Sequence, residues 1–240
     1  MSALKLGGIL GAAAAVTAAH AGPAVTSLPV VRRRFVPRLC GVGAPGHVAL
    51  TFDDGPDAAS TPLFLDALDR LGWRATFFLL GDSIRANRGV AAKVAAAGHE
   101  IALHGDVHSS HLIRSPWAVG ADMARSLALV EETTGARPVW FRPPYGIFSG
   151  ATHAACRRLG LRPVLWTAWG RDWRAEATAG TVTEDVAAGR LAGGTVLLHD
   201  SDCTSAPGSW RSALDALPRL AELFATAGLR VGPLADHAVA

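Results

Sequence analysis

From residue 48 onward, short apolar runs alternate with longer stretches whose apolar residues recur every three to four positions. VALTF (48–52), ATFFLL (75–80), EIALH (100–104), PVWF (138–141), RPVLWTAW (162–169), TVLLH (195–199) and LRVGPL (229–234) have the length and the apolar, β-prone make-up of strands. Between them lie TPLFLDALDRLG (61–72), IRANRGVAAKVAAAG (84–98), SPWAVGADMARSLALVEETTG (115–135), THAACRRLG (152–160), TVTEDVAAGRLA (181–192) and SWRSALDALPRLAELFATAG (209–228), all with helical spacing. Gly72, Gly98, Gly135, Gly160 and Gly228 close five of these helices, as expected for the left-handed residue that follows a helix end. Seven strands separated by six helices predict an α/β protein with a parallel sheet, either doubly wound or closed as a barrel.

Residues before about 45 fall outside this alternation, so the chain divides into an N-terminal arm (1–45) and one catalytic domain (46–240). The arm opens MSALKLGGILGAAAAVTAAHAG, with one Lys, an Ala/Gly-rich apolar run and the small-x-small triplet AHA, which resembles a secretory signal peptide. Three arginines at 32–34 resist export, and would hold the domain in the cytoplasm if residues 6–31 spanned a membrane. The expectation is export or membrane association through this segment, with a cytoplasmic location as the alternative. A chain of 240 residues, half of them hydrophobic, can bury one sizeable core. With a net charge of +3 and arginines scattered apart from that triplet, there is no basic stripe of the kind that binds nucleic acid. Cys40, Cys156 and Cys203 are far apart, which argues against both a disulfide framework and a cysteine zinc site.

In parallel α/β folds, function gathers at the carboxyl ends of the strands. Those positions hold Asp53, Asp54, Gly55 and Pro56, then His104 and His108, then Arg142, Pro143, Pro144 and Tyr145. Asp172 and Trp173 follow the next run, and His199 and Asp200 the last of the set. Each fragment alone reads as a turn, a core histidine or a surface ion pair. Five polar deliveries to one rim read as a site. Adjacent buried carboxylates repel unless a cation binds one of them. One of the two, with His104 and His108, makes a two-histidine, one-carboxylate set for a divalent cation, most simply zinc, with cobalt, nickel and iron sharing the preference. Such a cation lowers the pKa of bound water from ~15.7 towards ~7. The remaining carboxylate then serves as base, Arg142 holds it ionised, and His199 donates a proton to the leaving group. Together these steps describe amide hydrolysis.

TFDDGP (51–56), HxxxH (104–108), RPPYG (142–146), DW (172–173) and LxH (197–199) resemble the five ordered motifs of the NodB-like polysaccharide deacetylases, carbohydrate esterase family 4. The likeness runs over roughly residues 46 to 235. It implies a distorted (β/α) barrel of about seven parallel strands and removal of N-acetyl groups from chitin-like or peptidoglycan sugars, or O-acetyl groups from xylan. It also implies roles for individual residues. Asp53 is the catalytic base; Asp54, His104 and His108 are the metal ligands. Arg142 tethers the base, and the backbone N–H of Tyr145 is an oxyanion donor. Asp172 tunes His199, the general acid. Trp173 and Leu197 wall the acetyl pocket.

The chain departs from the family at Gly105, where most members have Ser or Thr bracing the metal loop; Ser109 and Ser110 are the candidates to compensate. Asp106 is a weaker candidate ligand, and His111 is expected to stand behind the ligands or face solvent. Trp117, Trp140, Trp166 and Trp169 follow apolar patterns and are expected in the core. Trp210, in the polar segment after His199, is the expected sugar-stacking residue. Two other readings stay open: a hydrolase of small non-sugar amides on the same fold, and a catalytically silent carbohydrate-binding module.

Overall fold

The computed structural model describes residues 14–239, organised around one parallel sheet of eight strands. These are β1 (His47–Asp53), β2 (Thr76–Leu80), β3 (Glu100–Gly105), β4 (Trp140–Phe141), β5 (Arg162–Pro163), β6 (Ala168–Trp169), β7 (Thr195–His199) and β8 (Arg230–Gly232). Their order is β5-β4-β3-β2-β1-β7-β6, with β8 added along the first residues of β1. The sheet curls, and β5 and β6 end it on either side of a seam, giving the expected distorted (β/α) barrel.

Eight helices are labelled here: α1 (Pro29–Phe35), α2 (Thr61–Arg70), α3 (Gly81–Ala86), α4 (Arg88–Ala96), α5 (Pro116–Thr134), α6 (Gly150–Leu159), α7 (Ala179–Ala187) and α8 (Trp210–Thr226). All five expected C-terminal glycines take positive φ, between 66° and 80°. Between strand and helix lies an apolar core in which Phe52 of β1 is stacked on Phe77 (5.0 Å) and meets Phe64 edge-on (5.2 Å).

Two expected elements divide. The run 162–169 becomes β5 and β6, because β5 pairs with β4 and β6 pairs with β7, and these partners lie on opposite sides of the sheet. The run 84–98 breaks at Asn87, whose side-chain amide donates to Pro56 O (3.1 Å) and Ser83 O (3.2 Å) between α3 and α4.

The segment before β1 lies against the barrel. Leu39 O accepts the Leu165 N–H (2.7 Å), Gly41 O accepts the Thr195 hydroxyl (2.7 Å), and Gly43 N–H donates to Gly193 O (2.9 Å). The signal-like run begins in residues 1–13, outside the described residues; residues 14–21 are helical. Among the described residues no single helix is long and apolar enough to cross a membrane, although 14–27 and 29–35, bent by 101°, pass that test together.

Candidate active site

Each reactive side chain stands at the carboxyl end of a strand or just beyond it. Asp53 closes β1 and lies in register with His199 on β7 and Phe78 on β2. Asp54 follows with φ 78°, a strained conformation of the kind that collects at functional sites. Gly55 is required by close approach, since a Cβ there would collide with the Asp200 carboxylate. Thr61 donates to that carboxylate (2.5 Å), and burial pushes Asp200 up to about 7, with Asp54 adding to the shift.

His104 stands on β3, and His108 on the loop that follows. Gly105 has φ 111°, where a side chain would be strained and a Cβ would lie 3.3 Å from Asp122 Oδ2. The brace comes from elsewhere. Asp122 of α5 accepts the Asp106 N–H (2.8 Å) and pairs with Arg114 (2.5 Å), which also donates to the Ser109 hydroxyl (3.1 Å). Ser110 accepts the Leu112 N–H at the following helical turn. Asp106 is engaged by Arg85 (2.8 Å) and Arg125 (3.2 Å), which corrects its candidacy as a ligand. His111 is fully buried behind the loop, against Thr152 (3.1 Å) and the Phe141 ring.

Asp54 Oδ1 lies 3.3 Å from His104 Nε2 and 3.4 Å from His108 Nε2, and the three ligand atoms fall within 4.8 Å of one another. His104 Nδ1 is 2.8 Å from Arg142 O; a carbonyl only accepts, so Nδ1 carries the proton and the Nε2 lone pair faces Asp54. Asp54 Oδ1 is buried without a hydrogen-bond donor, an orphan that a divalent cation would satisfy. The cluster therefore fits such a cation. Burial would raise Asp54, but the close approach of His104 and the charges of His199, His104 and His108 hold it well below the usual carboxylate range. Burial and the nearby His104 push His108 down to about 4, so its lone pair is free at neutral pH. His104 is raised despite its burial, because Asp53 and Asp54 favour its proton, the one that a cation would replace.

Arg142 is fully buried between the two halves of the site. Its Nη1 donates to Asp53 Oδ1 (2.6 Å) and Thr51 Oγ1 (2.9 Å), its Nη2 to Leu165 O (2.9 Å), and its guanidinium lies over Phe78 (4.0 Å). Across the cleft, Asp172 Oδ1 accepts from His199 Nδ1 (2.9 Å) and its Oδ2 accepts the His199 backbone N–H (2.7 Å). Burial would lower His199; Asp172 overrides it and raises the imidazole to about 10, so it is protonated at neutral pH.

These groups open onto a cleft of about 310 Å³. Tyr145, at φ 61° and with its ring edge-on to His108 (4.5 Å), forms one lip. Leu197 and Trp173, the latter 42% exposed, also line the cleft. Trp166 packs against the core as expected and also lines the cleft, while Trp169 lines the cleft outside the core, a correction: it is stacked on Trp173 (6.2 Å) and tilted to Trp166 (5.5 Å). Trp117 is 82% exposed, a second correction, while Trp140 is buried as expected. Trp210 is a third. It is 9% exposed, begins α8 inside the hydrophobic core and does not line the cleft, so it has no free face for a sugar.

Three contributors escaped the sequence. Thr51 braces Arg142 and was readable as the first letter of TFDDGP. Thr204 donates to Asp54 Oδ2 (3.3 Å) from a loop whose polar make-up carries no specific signal. Asp122 reads as an ordinary helix polar position until the loop folds over it.

Residues 41–164 match the sequence profile described as polysaccharide deacetylase. The chain is similar to a peptidoglycan-N-acetylglucosamine deacetylase of Listeria monocytogenes, at 36% identity over 160 residues, 67% of this chain and 34% of that protein. It thus spans about a third of that relative. A chitooligosaccharide deacetylase of Bradyrhizobium is 35% identical over 173 residues, 72% of this chain and 77% of that one. Among solved structures, the Bc1960 peptidoglycan N-acetylglucosamine deacetylase superposes with a TM-score of 0.76 at 27% identity, covering 84% of this chain and 92% of that one.

Proposed function

The chain belongs to the polysaccharide deacetylase family, and on that premise we propose that it is a metal-dependent hydrolase removing N-acetyl groups from N-acetylglucosamine-containing polysaccharide, peptidoglycan or chitin-like in kind. One observation carries this reading: a buried cation-type cluster shares a cleft with a carboxylate tethered by Arg142 and an imidazole kept protonated by Asp172.

Asp54, His104 and His108 would hold the cation, for which two imidazoles and a carboxylate suit zinc, with cobalt, nickel and iron as alternatives. When bound, that cation supplies Lewis acidity and a water acidic enough to react at neutral pH. Asp53 accepts a proton from the attacking water. Its pairing with Arg142 Nη1 at 2.6 Å keeps one oxygen occupied and the carboxylate oriented. The Tyr145 N–H, carried on a positive-φ turn at the lip, is the donor for the developing oxyanion. His199 gives a proton to the leaving amine; its Nδ1 is held by Asp172, so the proton delivered is the one on Nε2. Leu197 and Trp173 limit the acyl pocket, with Trp166 and Trp169 completing its apolar side. A substrate of this class places the enzyme outside the cytoplasm.

The test is acetate release from N-acetylglucosamine oligomers and peptidoglycan fragments by metal-stripped protein, with and without added zinc. Acetate that appears only with zinc is expected. Stoichiometric metal binding without acetate from any sugar would replace this reading with hydrolysis of a small non-sugar amide.

A further inference from the structure

The segment before β1 reaches the cleft through one tryptophan. Residues 164–167 cross the seam between β5 and β6; the sheet holds the two ends, Val164 N–H on Phe141 O (3.0 Å) and Thr167 N–H on Thr195 O (2.9 Å), and the other backbone bonds come from outside it. Arg142 donates to Leu165 O (2.9 Å), Arg32 Nη2 to Trp166 O (3.2 Å) and Arg33 to Thr167 O (3.4 Å), while Leu39 O accepts the Leu165 N–H (2.7 Å).

Arg32 is the unusual member. It is 3% exposed, and among the described residues it has no carboxylate partner. Its Nη1 and Nη2 donate to the carbonyls of Ser27 (2.8 Å) and Trp166, its Nε is buried without an acceptor, and the guanidinium lies 5.4 Å from the centre of the Trp166 ring. A buried cation is costly unless its partners are well placed. The Arg142 guanidinium stands 5.7 Å from the same ring, so two cations, one from the arm and one from the site, flank a single indole. The far edge of that indole is packed on Gly146, where a Cβ would come within 2.6 Å of Trp166 Cη2. Gly146 adjoins Tyr145, so the turn at the cleft lip rests on Trp166.

We propose that Arg32 is a positioning residue that sets the depth of the acyl pocket: by holding Trp166 against Gly146 it lets the site take acetyl and reject longer acyl groups. This rests on the deacetylase reading above. Removing the guanidinium leaves Trp166 O without its donor and the indole without one of its two cations. The 164–167 crossover then gains freedom, the ring withdraws, and the pocket deepens.

Two readouts test this. Arg32→Ala is expected to raise the ratio of kcat/KM on N-propionyl over N-acetyl glucosamine oligomers by roughly tenfold, the discrimination that one methylene carries in an apolar pocket. A loss confined to general destabilisation would lower both substrates alike and leave the ratio unmoved. The second readout is independent of turnover. With 5-fluorotryptophan in all seven tryptophans, the Trp166 fluorine line is identified by its loss in Trp166→Phe. That line is expected to shift and broaden in Arg32→Ala but not in Arg34→Ala, whose side chain is exposed. If Arg32→Ala fails to fold, Arg32→Gln, which keeps an amide donor, is measured the same way. An unmoved Trp166 line in a folded variant overturns the proposal. A shifted line with no acetate released by the parent protein supports the link from Arg32 to Trp166 and overturns its acyl role, together with the deacetylase reading.

Discussion

In the middle of the sheet, β3, β2, β1 and β7 are ladders of five to seven residues that carry Asp53, His104 and His199, with Asp54 one step beyond. At its two edges, β4 and β5 on one and β6 on the other, the strands have two residues each, and they deliver Arg142, Tyr145, Trp166 and Asp172. The long ladders fix their terminal side chains through the backbone. The short strands cannot, and their residues are held by side-chain bonds: Arg142 to Thr51, Asp53 and Leu165 O, Asp172 to His199, Trp166 to Arg32. Reactive groups and their charge partners are thus split between middle and edges, Asp53 with Arg142 and His199 with Asp172. The ladders hold the groups proposed to exchange protons. The short edge strands set their charge and shape the pocket, and they are the part that a distant segment such as the arm can influence.

Substitution in the ladders tests that division most strongly. Asp53→Asn is expected to lower kcat by about 10²–10⁴-fold, the span of general acid–base contributions, while zinc stoichiometry stays near that of the parent protein. His108→Ala is expected to lose both turnover and metal, read by metal analysis after dialysis. Normal turnover in Asp53→Asn would move the base elsewhere.

A cut at the edges should fall on folding. Arg142→Ala leaves Asp53 buried without its cation, for a loss of about 3–5 kcal/mol in denaturant unfolding. A stability change near zero would mean that the ladder alone holds Asp53.

The smallest effect isolates charge from structure. Asp172→Asn removes the partner that raises His199 to about 10, so the imidazole should titrate closer to its ordinary ~6.5. The alkaline limb of kcat/KM should then move down by about two pH units or more. Stability carries the matching sign. His199 has a folded pKa above its unfolded one, so its contribution is complete below about pH 6.5 and is lost as pH rises towards 10. In the variant this dependence should flatten, as followed by Tm against pH.

The contrast also separates what was legible. Apolar runs long enough to be ladders showed their type and place, and TVLLH (195–199) coincides with β7 to the residue. The run 162–169 looked like one strand of eight because its composition is uniformly apolar; its division depends on β4 and β7 standing on opposite sides of the sheet. The tryptophans failed for the same reason. Trp166, Trp169, Trp173 and Trp210 share a chemistry, and only the path of the chain puts the first three on a cleft and the last in the core. Asp122 and Thr204 carry no local mark of their partners, which are 16 and 150 residues away.

By itself the sequence determined the alternation of strands and helices, the rim on which the polar residues gather and the reactive set of Asp53, Asp54, His104, His108 and His199. These follow from local spacing, because a strand end presents its next side chain wherever that strand lies. Tertiary structure alone decided the pairing of Arg142 with Thr51, of the Asp106 backbone with Asp122 and of Asp54 with Thr204, the walls of the cleft and the docking of the arm through Arg32. Those depend on contacts between segments far apart in the chain, and the free energy that selects them comes from burial and charge pairing that no short window of residues contains.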